Sequence, residues 1–315
     1  MTQLVLTGID GGNPLGFLAA VGTALTVGRF SPDVRIFWQV EQGTWRPVLS
    51  GCESNRENFV ELLHQAITAT SSEPFTIDKK LPFPAEAFVV ALHRAQDRAS
   101  SLDRRLADFL GAFGSEVFFD AKDKERKFEV TSFCMVRSGD SNGQGLPFYA
   151  VAIRNSTDVH ALQRTLFQQW RYQDPVIQDG KEKEYSMRWD PSEDQRYALR
   201  WHDPSGNKDK HAPKTMLGAN TLALEALMLF PTAPRPGGLA TTGFSHVGRQ
   251  EFFTWPIWKS PVSPEMIRSL LSLAELHEPI PPRRALAARG IAEIYRCERV
   301  APNKYYKNFT PAVPA

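Results

Sequence analysis

The chain has 315 residues, of which 42% are apolar and 23% charged, and its formal net charge is +2. That length supports a sizeable core in one large domain or two, and the near-neutral balance means that any polyanion site has to come from local clustering. Cys52, Cys134 and Cys297 are too few and too widely spaced for a disulfide framework or a zinc pattern. No basic leader is visible, and no apolar run reaches the about 18 residues of a membrane span, so the expected setting is cytoplasmic, with no membrane partner.

Taken in order, Leu4 to Ile9 is a short apolar run of strand length, followed by the turn Asp10-Gly11-Gly12. Asn13 is a favoured N-cap and Pro14 suits the first helical position, which predicts a helix to about Val27 with Gly28 as its left-handed stop. Leu15, Leu18, Val21 and Leu25 share one face of it, and Gly16, Ala19, Ala20, Gly22 and Ala24 are small enough for close packing. Residues 34–49 alternate around Glu41-Gln42-Gly43 as a β-hairpin does. Helices are expected over 55–69, over 84–113 (with Leu102, Leu106, Phe109, Leu110 and Phe113 inward) and over 157–170. The charges of "DAKDKERKFEV" cancel, and "SGDSNGQG" at 138–145 reads as a loop. Further on come an apolar helix at 221–230, an aromatic strand in "FFTWPIWKSPVS" with edge prolines, a helix near 264–277 and a basic helix over about 283–298. The fold class is α+β, a mixed single unit with a helical, basic C-terminal part; its two regions are 1–260, the α+β core, and 261–315, which packs on that core or stands beside it.

Strand–turn–helix around "IDGGNPLG" is a setting in which phosphates often bind. However, the Lys and Ser/Thr of a phosphate-binding loop do not follow Gly16, and the dinucleotide glycine spacing is absent. A helix cap with close packing fits better, although Gly11, Gly12 and Asn13 still count as loop candidates for a nucleic-acid phosphate. Between two turn-forming Asp-Pro-Ser motifs lies "RYALRW": in a strand, Arg196 and Arg200 share one face while Tyr197, Leu199 and Trp201 share the other. Two cations so placed suit a phosphate backbone, and they equally suit pairing with Asp190, Glu193, Asp194 or Asp203. Arg188, Lys208 and Lys210 extend the same cationic stretch. Asp190, Glu193, Asp194, His202 and Asp203 are also the residue types of a metal-dependent nuclease, a weak signal without a second histidine at helical spacing. His246 and His277 stand alone. Ser245 lacks the closing glycine of a nucleophile elbow, and Thr241 and Thr242 read as a polar loop lining a groove. Nothing here calls for a cofactor or a metal. From Pro281 to Lys307, Arg283, Arg284, Arg289, Arg296, Arg299, Lys304 and Lys307 face only Glu293 and Glu298, with Tyr295, Tyr305, Tyr306 and Phe309 interleaved. Polyanion contact and an ordinary solvated helix both fit that pattern.

Five blocks, "LTGIDGGNPLGFLAAVGT", "RWDPSEDQRYALRWHDPS", "MLGANTLALEALMLFPTAP", "TTGF" and "FTWPIWKSP", together resemble a small family encoded at type I-G (formerly I-U) CRISPR loci. The resemblance covers residue 4 to about 275 and leaves the basic tail outside it. It implies a non-catalytic subunit of an RNA-guided effector complex, either like the large subunit of Cascade or related to an extension of the helicase-nuclease. The partners it implies are guide RNA, target DNA, other Cascade subunits and the helicase-nuclease. In such complexes base pairing reads the sequence while protein holds the backbones. Two other classes remain beside this one: a metal-dependent nuclease using Asp190, Asp194 and His202, and a protein-only adaptor docking a partner through Trp255 and Trp258.

Overall fold

A computed structural model describes residues 3–117, 127–135, 145–183, 185–193, 215–301 and 307–315. Strand β1 (Gln3–Val5) leads through the Asp10-Gly11-Gly12 turn into α1 (Pro14–Gly28), whose cap is the expected one: the Asn13 Oδ1 accepts from the Gly16 N–H at 3.0 Å, and Pro14 occupies N1. The helix ends differently. Gly28 is its last helical residue, and the cap falls on Arg29 in right-handed conformation. Strands β2 (Arg35–Glu41) and β3 (Thr44–Ser50) form the expected hairpin, with Gln42 and Gly43 both at positive φ, and the sheet order is β1-β3-β2.

Next come α2 (Arg56–Ala69), α3 (Ala85–Ser100) and α4 (Arg105–Phe113). The helix expected over 84–113 is thus two. The chain breaks at Ser101–Arg104, where Leu102 takes φ +67° and lies 91% exposed instead of inward, while Leu106, Phe109, Leu110 and Phe113 are buried. Strands β4 (Gly114–Val117) and β5 (Lys127–Val130) pair, and α5 (Leu146–Ser156), which local pattern did not announce, precedes α6 (Val159–Phe167) and the small hairpin of β6 (Val176–Gln178) and β7 (Lys181–Lys183).

Helix α7 (Leu217–Ala226) is buried along its whole length, and α1 nearly so. Both are enclosed on every side by the rest of the protein. They cross so closely that a Cβ on Gly22 would lie 1.8 Å from the Leu222 carbonyl oxygen. After α7 come β8 (Thr232–Arg235), β9 (Gly238–Thr241), β10 (Phe244–Val247) and β11 (Gln250–Trp258), then α8 (Pro264–Leu271) and α9 (Arg283–Ala288). The basic helix expected to 298 stops there. Gly290 turns the chain at φ +86°, and Ile291–Val300 is strand β12, where Ile, Tyr and Val suit a pleated surface. Strand β12 pairs antiparallel with β11 from Phe252–Glu298 to Trp258–Ile291 and carries β13 (Asn308–Phe309) and β14 (Val313–Pro314) on its far side. Residues 261–315 therefore contribute an interior strand to the same sheet as β11, rather than a helical appendage. Pro256 sits where β11 runs past the end of β10, so its missing N–H costs no ladder bond on that side.

The two sheets meet around Phe17. Its ring lies within 6.3 Å of those of Trp38, Trp255 and Trp258, and Ile36 and Val262 exchange backbone bonds between β2 and the segment after β11. The result is a mixed α+β fold with antiparallel sheets. Among the described residues no helix is long and apolar enough to cross a membrane.

Candidate functional site at the start of helix α1

The loop Asp10–Asn13 borders a polar cleft of about 460 Å³, lined also by Gln42, Arg46, Trp170 and Tyr172. The loop is held from every side. Gly11 donates its N–H to the Trp45 carbonyl and accepts from the Trp255 indole, and a Cβ there would strike Trp38. Gly12 donates to the Asp10 carboxylate, its Cα facing the Tyr295 ring, and the Arg46 guanidinium donates to the Ile9 carbonyl at 2.7 Å. The Asn13 side chain caps α1 with its oxygen and donates its Nδ2 to Asp190 Oδ2 at 2.8 Å. With Asp10 and Asp190 both beside the positive end of α1, this helix start already has its negative charge. The structure therefore favours the capping role over a phosphate cradle for Gly11, Gly12 and Asn13.

Asp190 opens a buried polar network. Its Oδ2 also accepts from the Tyr172 hydroxyl at 2.8 Å and its Oδ1 from the Ser192 N–H, so three donors converge on it. Burial, and then Asp190 itself, push the Tyr172 phenol well above its usual range, which keeps it a donor. Three residues on, the Glu193 carboxylate accepts from Thr215 Oγ1, the Met216 N–H, Asn220 Nδ2 and, in a short bond, Ser186 Oγ. Burial raises its pKa to about 7, Asp190 adds to the rise, and the donors pull against it. Arg188 is half-buried at positive φ, with its N–H donating to Ser186 Oγ. As candidate metal ligands, Asp190 and Glu193 already have their oxygens engaged, and among the described residues no three His, Cys, Asp or Glu side chains converge on one point. Arg196, Arg200, Lys208, Lys210, Asp194 and His202 lie outside the described residues, as does Lys304.

Of the C-terminal cations among the described residues, all but Arg284 are paired or buried. Arg296 is 9% exposed; its guanidinium donates to Thr254 Oγ1 and to the carbonyls of Leu276, Glu278 and Pro279, closing the chain before α9 onto β12. Lys307 is also buried. Arg283 pairs with Glu293, Arg289 with Glu275 and Arg299 with Glu251, one carboxylate for each guanidinium, and Arg284 is exposed. Two of these partners, Glu275 and Glu251, lie upstream of residue 281, where a count along the tail does not see them. Thr241 is buried and accepts from the Ser132 N–H, and the half-buried Thr242 donates to the Pro231 carbonyl. Trp255 and Trp258 are buried, with their indoles donating to Gly11 and Ile36; they cannot dock a partner.

A second charged centre was not anticipated. Glu225 of α7 is fully buried and accepts from Arg29, Arg105 and Arg154. Burial alone would raise its pKa; Arg105, then Arg29 and Arg154, outweigh that and hold it at about 2. Burial brings Arg105 down to about 10, which leaves it charged at neutral pH. The signal in the sequence is a lone glutamate inside the otherwise apolar "LALEALML", since a carboxylate there has to meet cations from elsewhere.

Fold and cleft together define a mixed α+β protein with a polar cleft over a capped helix start and a buried acidic network behind it. The chain matches no known protein-family model, and no curated protein matches it.

Proposed function

We propose that the protein is a non-catalytic nucleic-acid-binding subunit of a type I-G CRISPR effector complex, holding the backbone of guide RNA or target DNA in the cytoplasm beside other Cascade subunits and the helicase-nuclease. The observation that carries this is how the chain is anchored on either side of residues 194–214. Glu193 accepts from Thr215 Oγ1 and the Met216 N–H, so the two flanks meet at one point, and Asp190 ties that point to Asn13 at the polar cleft. The stretch between them contains Arg196, Arg200, Lys208, Lys210 and Lys214 against Asp194, Asp203 and Asp209, with Tyr197 and Trp201. Cations with interleaved rings suit a backbone and its bases. The resembling blocks also fall on the paired central helices, α1 and α7, and on the β11 core.

The test is binding of labelled guide-type RNA and single-stranded DNA, followed by fluorescence anisotropy across a salt series. Affinity is expected to fall steeply with salt, and Arg196→Ala with Arg200→Ala to lower the slope of log K against log salt by about 2. A flat salt series, or a double variant that binds like the parent, overturns the proposal. Cleavage of either strand in Mg²⁺ that is lost in Asp194→Ala would favour the metal-nuclease reading instead.

A further inference from the structure

Among the described residues, an arginine cluster lies on and beside α1, α3, α4, α5 and α8. Glu225 is shared by Arg29, Arg105 and Arg154. Arg29 also donates to Thr70 Oγ1, and Arg154 donates to the Thr70 carbonyl, at the end of α2. Three residues beyond Thr70, Glu73 is shared by Arg94 and Arg98 of α3, at 3.6 and 2.5 Å. On the other side, Asp108 of α4 is shared by Arg104 and Arg268, at 3.4 and 3.8 Å. Contacts run from Arg268 through Asp108, α4 and Glu225 to Arg29 and Thr70, and the chain itself carries the series three residues on to Glu73 and α3. Seven guanidinia thus lean on three carboxylates, each of which is shared by two or three of them.

The exposed Asp97 and Asp103 flank Arg98 and Arg104, and with them counted the excess is still two positive charges. The contrast with the tail is direct. There Arg283, Arg289 and Arg299 each have their own carboxylate, and those three pairs are neutral. Here Arg94 and Arg104 are 62% and 65% exposed, Arg98 and Arg268 are above 40%, and Arg29 at 30% reaches the surface over the buried Glu225. A guanidinium has five N–H donors in a planar fork, so an arginine sharing a carboxylate still has donors for a second anion. All seven cations are arginine, the side chain that matches phosphate oxygens in pairs.

We infer that this arginine cluster is a phosphate-backbone contact surface for a nucleic-acid strand. It deepens the nucleic-acid reading above, on which it rests, and adds to it residues outside 194–214. Shared carboxylates hold the guanidinia in place while leaving net charge unneutralised. An arriving phosphate replaces the missing counter-charge and releases condensed cations from the nucleic acid.

The experiment uses the full chain and fluorescein-labelled single-stranded DNA, duplex DNA and RNA of mixed sequence. Arg94→Gln with Arg104→Gln removes the second arginine from Glu73 and from Asp108, leaving Arg98 and Arg268 in place, so neither carboxylate is orphaned. Affinity at physiological salt is expected to drop about tenfold and the salt slope by about 2, with an unchanged melting temperature. Glu73→Gln is expected to tighten binding, an outcome that a damaged fold does not produce. Arg283→Gln with Arg289→Gln, taken from the neutral pairs, is the control and leaves affinity unchanged. If the parent binds and loses affinity in Arg196→Ala with Arg200→Ala, but not in Arg94→Gln with Arg104→Gln, the arginine cluster is overturned as a contact surface and the nucleic-acid reading stands. If the parent shows no salt-dependent binding to any of the three probes, both fall.

Discussion

Glu193 shows how one residue reports its surroundings. An isolated buried carboxylate prefers to be neutral, and its neighbour Asp190 strengthens that preference, yet four donors are aimed at its oxygens. The folded pKa of about 7 against an ordinary 4.5 sets the sign. The folded state keeps a proton that the unfolded chain gives up. The stabilising contribution is therefore complete below pH 4.5 and is lost as pH rises through 7. The parent should lose stability relative to Glu193→Gln between pH 4.5 and 8, by at most about 3 kcal/mol, in urea titrations run across that range. A constant difference between the two proteins would mean that the carboxylate is ionised throughout. Glu225 has the opposite sign: its three arginines make it an anion at any pH above about 2, so its contribution disappears only in acid. Neither effect is visible in local sequence, because partners such as Arg29, Arg105, Arg154 and Asn220 come from different helices.

At the scale of elements, the pair α1 and α7 decides the packing. Both helices bury residues on all sides, and their contact depends on the bare Cα of Gly22 against the Leu222 carbonyl. Gly22→Ala, a helix-favouring change on propensity alone, is expected to destabilise the protein by about 3 kcal/mol because the backbones have to separate. An alanine variant as stable as the parent would show that the helices can part without loss. The start of α1 was legible because its signal is local: Asn13, followed by Pro14, caps by its own side chain, as Asn55 does before α2 and Asp158 before α6. Interruptions were harder. Nothing in "RASSLDRRL" marks the break between α3 and α4 as strongly as a proline does, and α4 turns there so that Phe109 and Phe113 meet Phe75. The switch from α9 to β12 has a visible signal in Gly290 and the following Ile-Ala-Glu-Ile-Tyr, which the high count of arginines obscured.

At the scale of the molecule, the sheet that joins β11 to β12 binds both ends of the chain's second half. Phe309 stacks on Phe244 and Phe253, and Tyr295 on Trp255, which lies over the α1 loop. A fragment of residues 1–260 loses β12, exposes the long edge of β11 and strips that aromatic cluster. It is expected to lack a cooperative thermal transition, measured by circular dichroism, and a sharp melt would mark 261–315 as dispensable. From sequence alone came the α+β class, the capped first helix, the β2–β3 hairpin and the aromatic strand, since caps, turns and alternation act over a few residues. Tertiary structure alone decided which arginines are neutralised. Charge counted along the chain favoured the tail, but Glu251 and Glu275 reach the tail from elsewhere in the chain, while Glu73, Asp108 and Glu225 are too few for the arginines gathered at the helix ends. Coulomb interactions depend on distance in space, which a linear sequence does not state until the chain has folded.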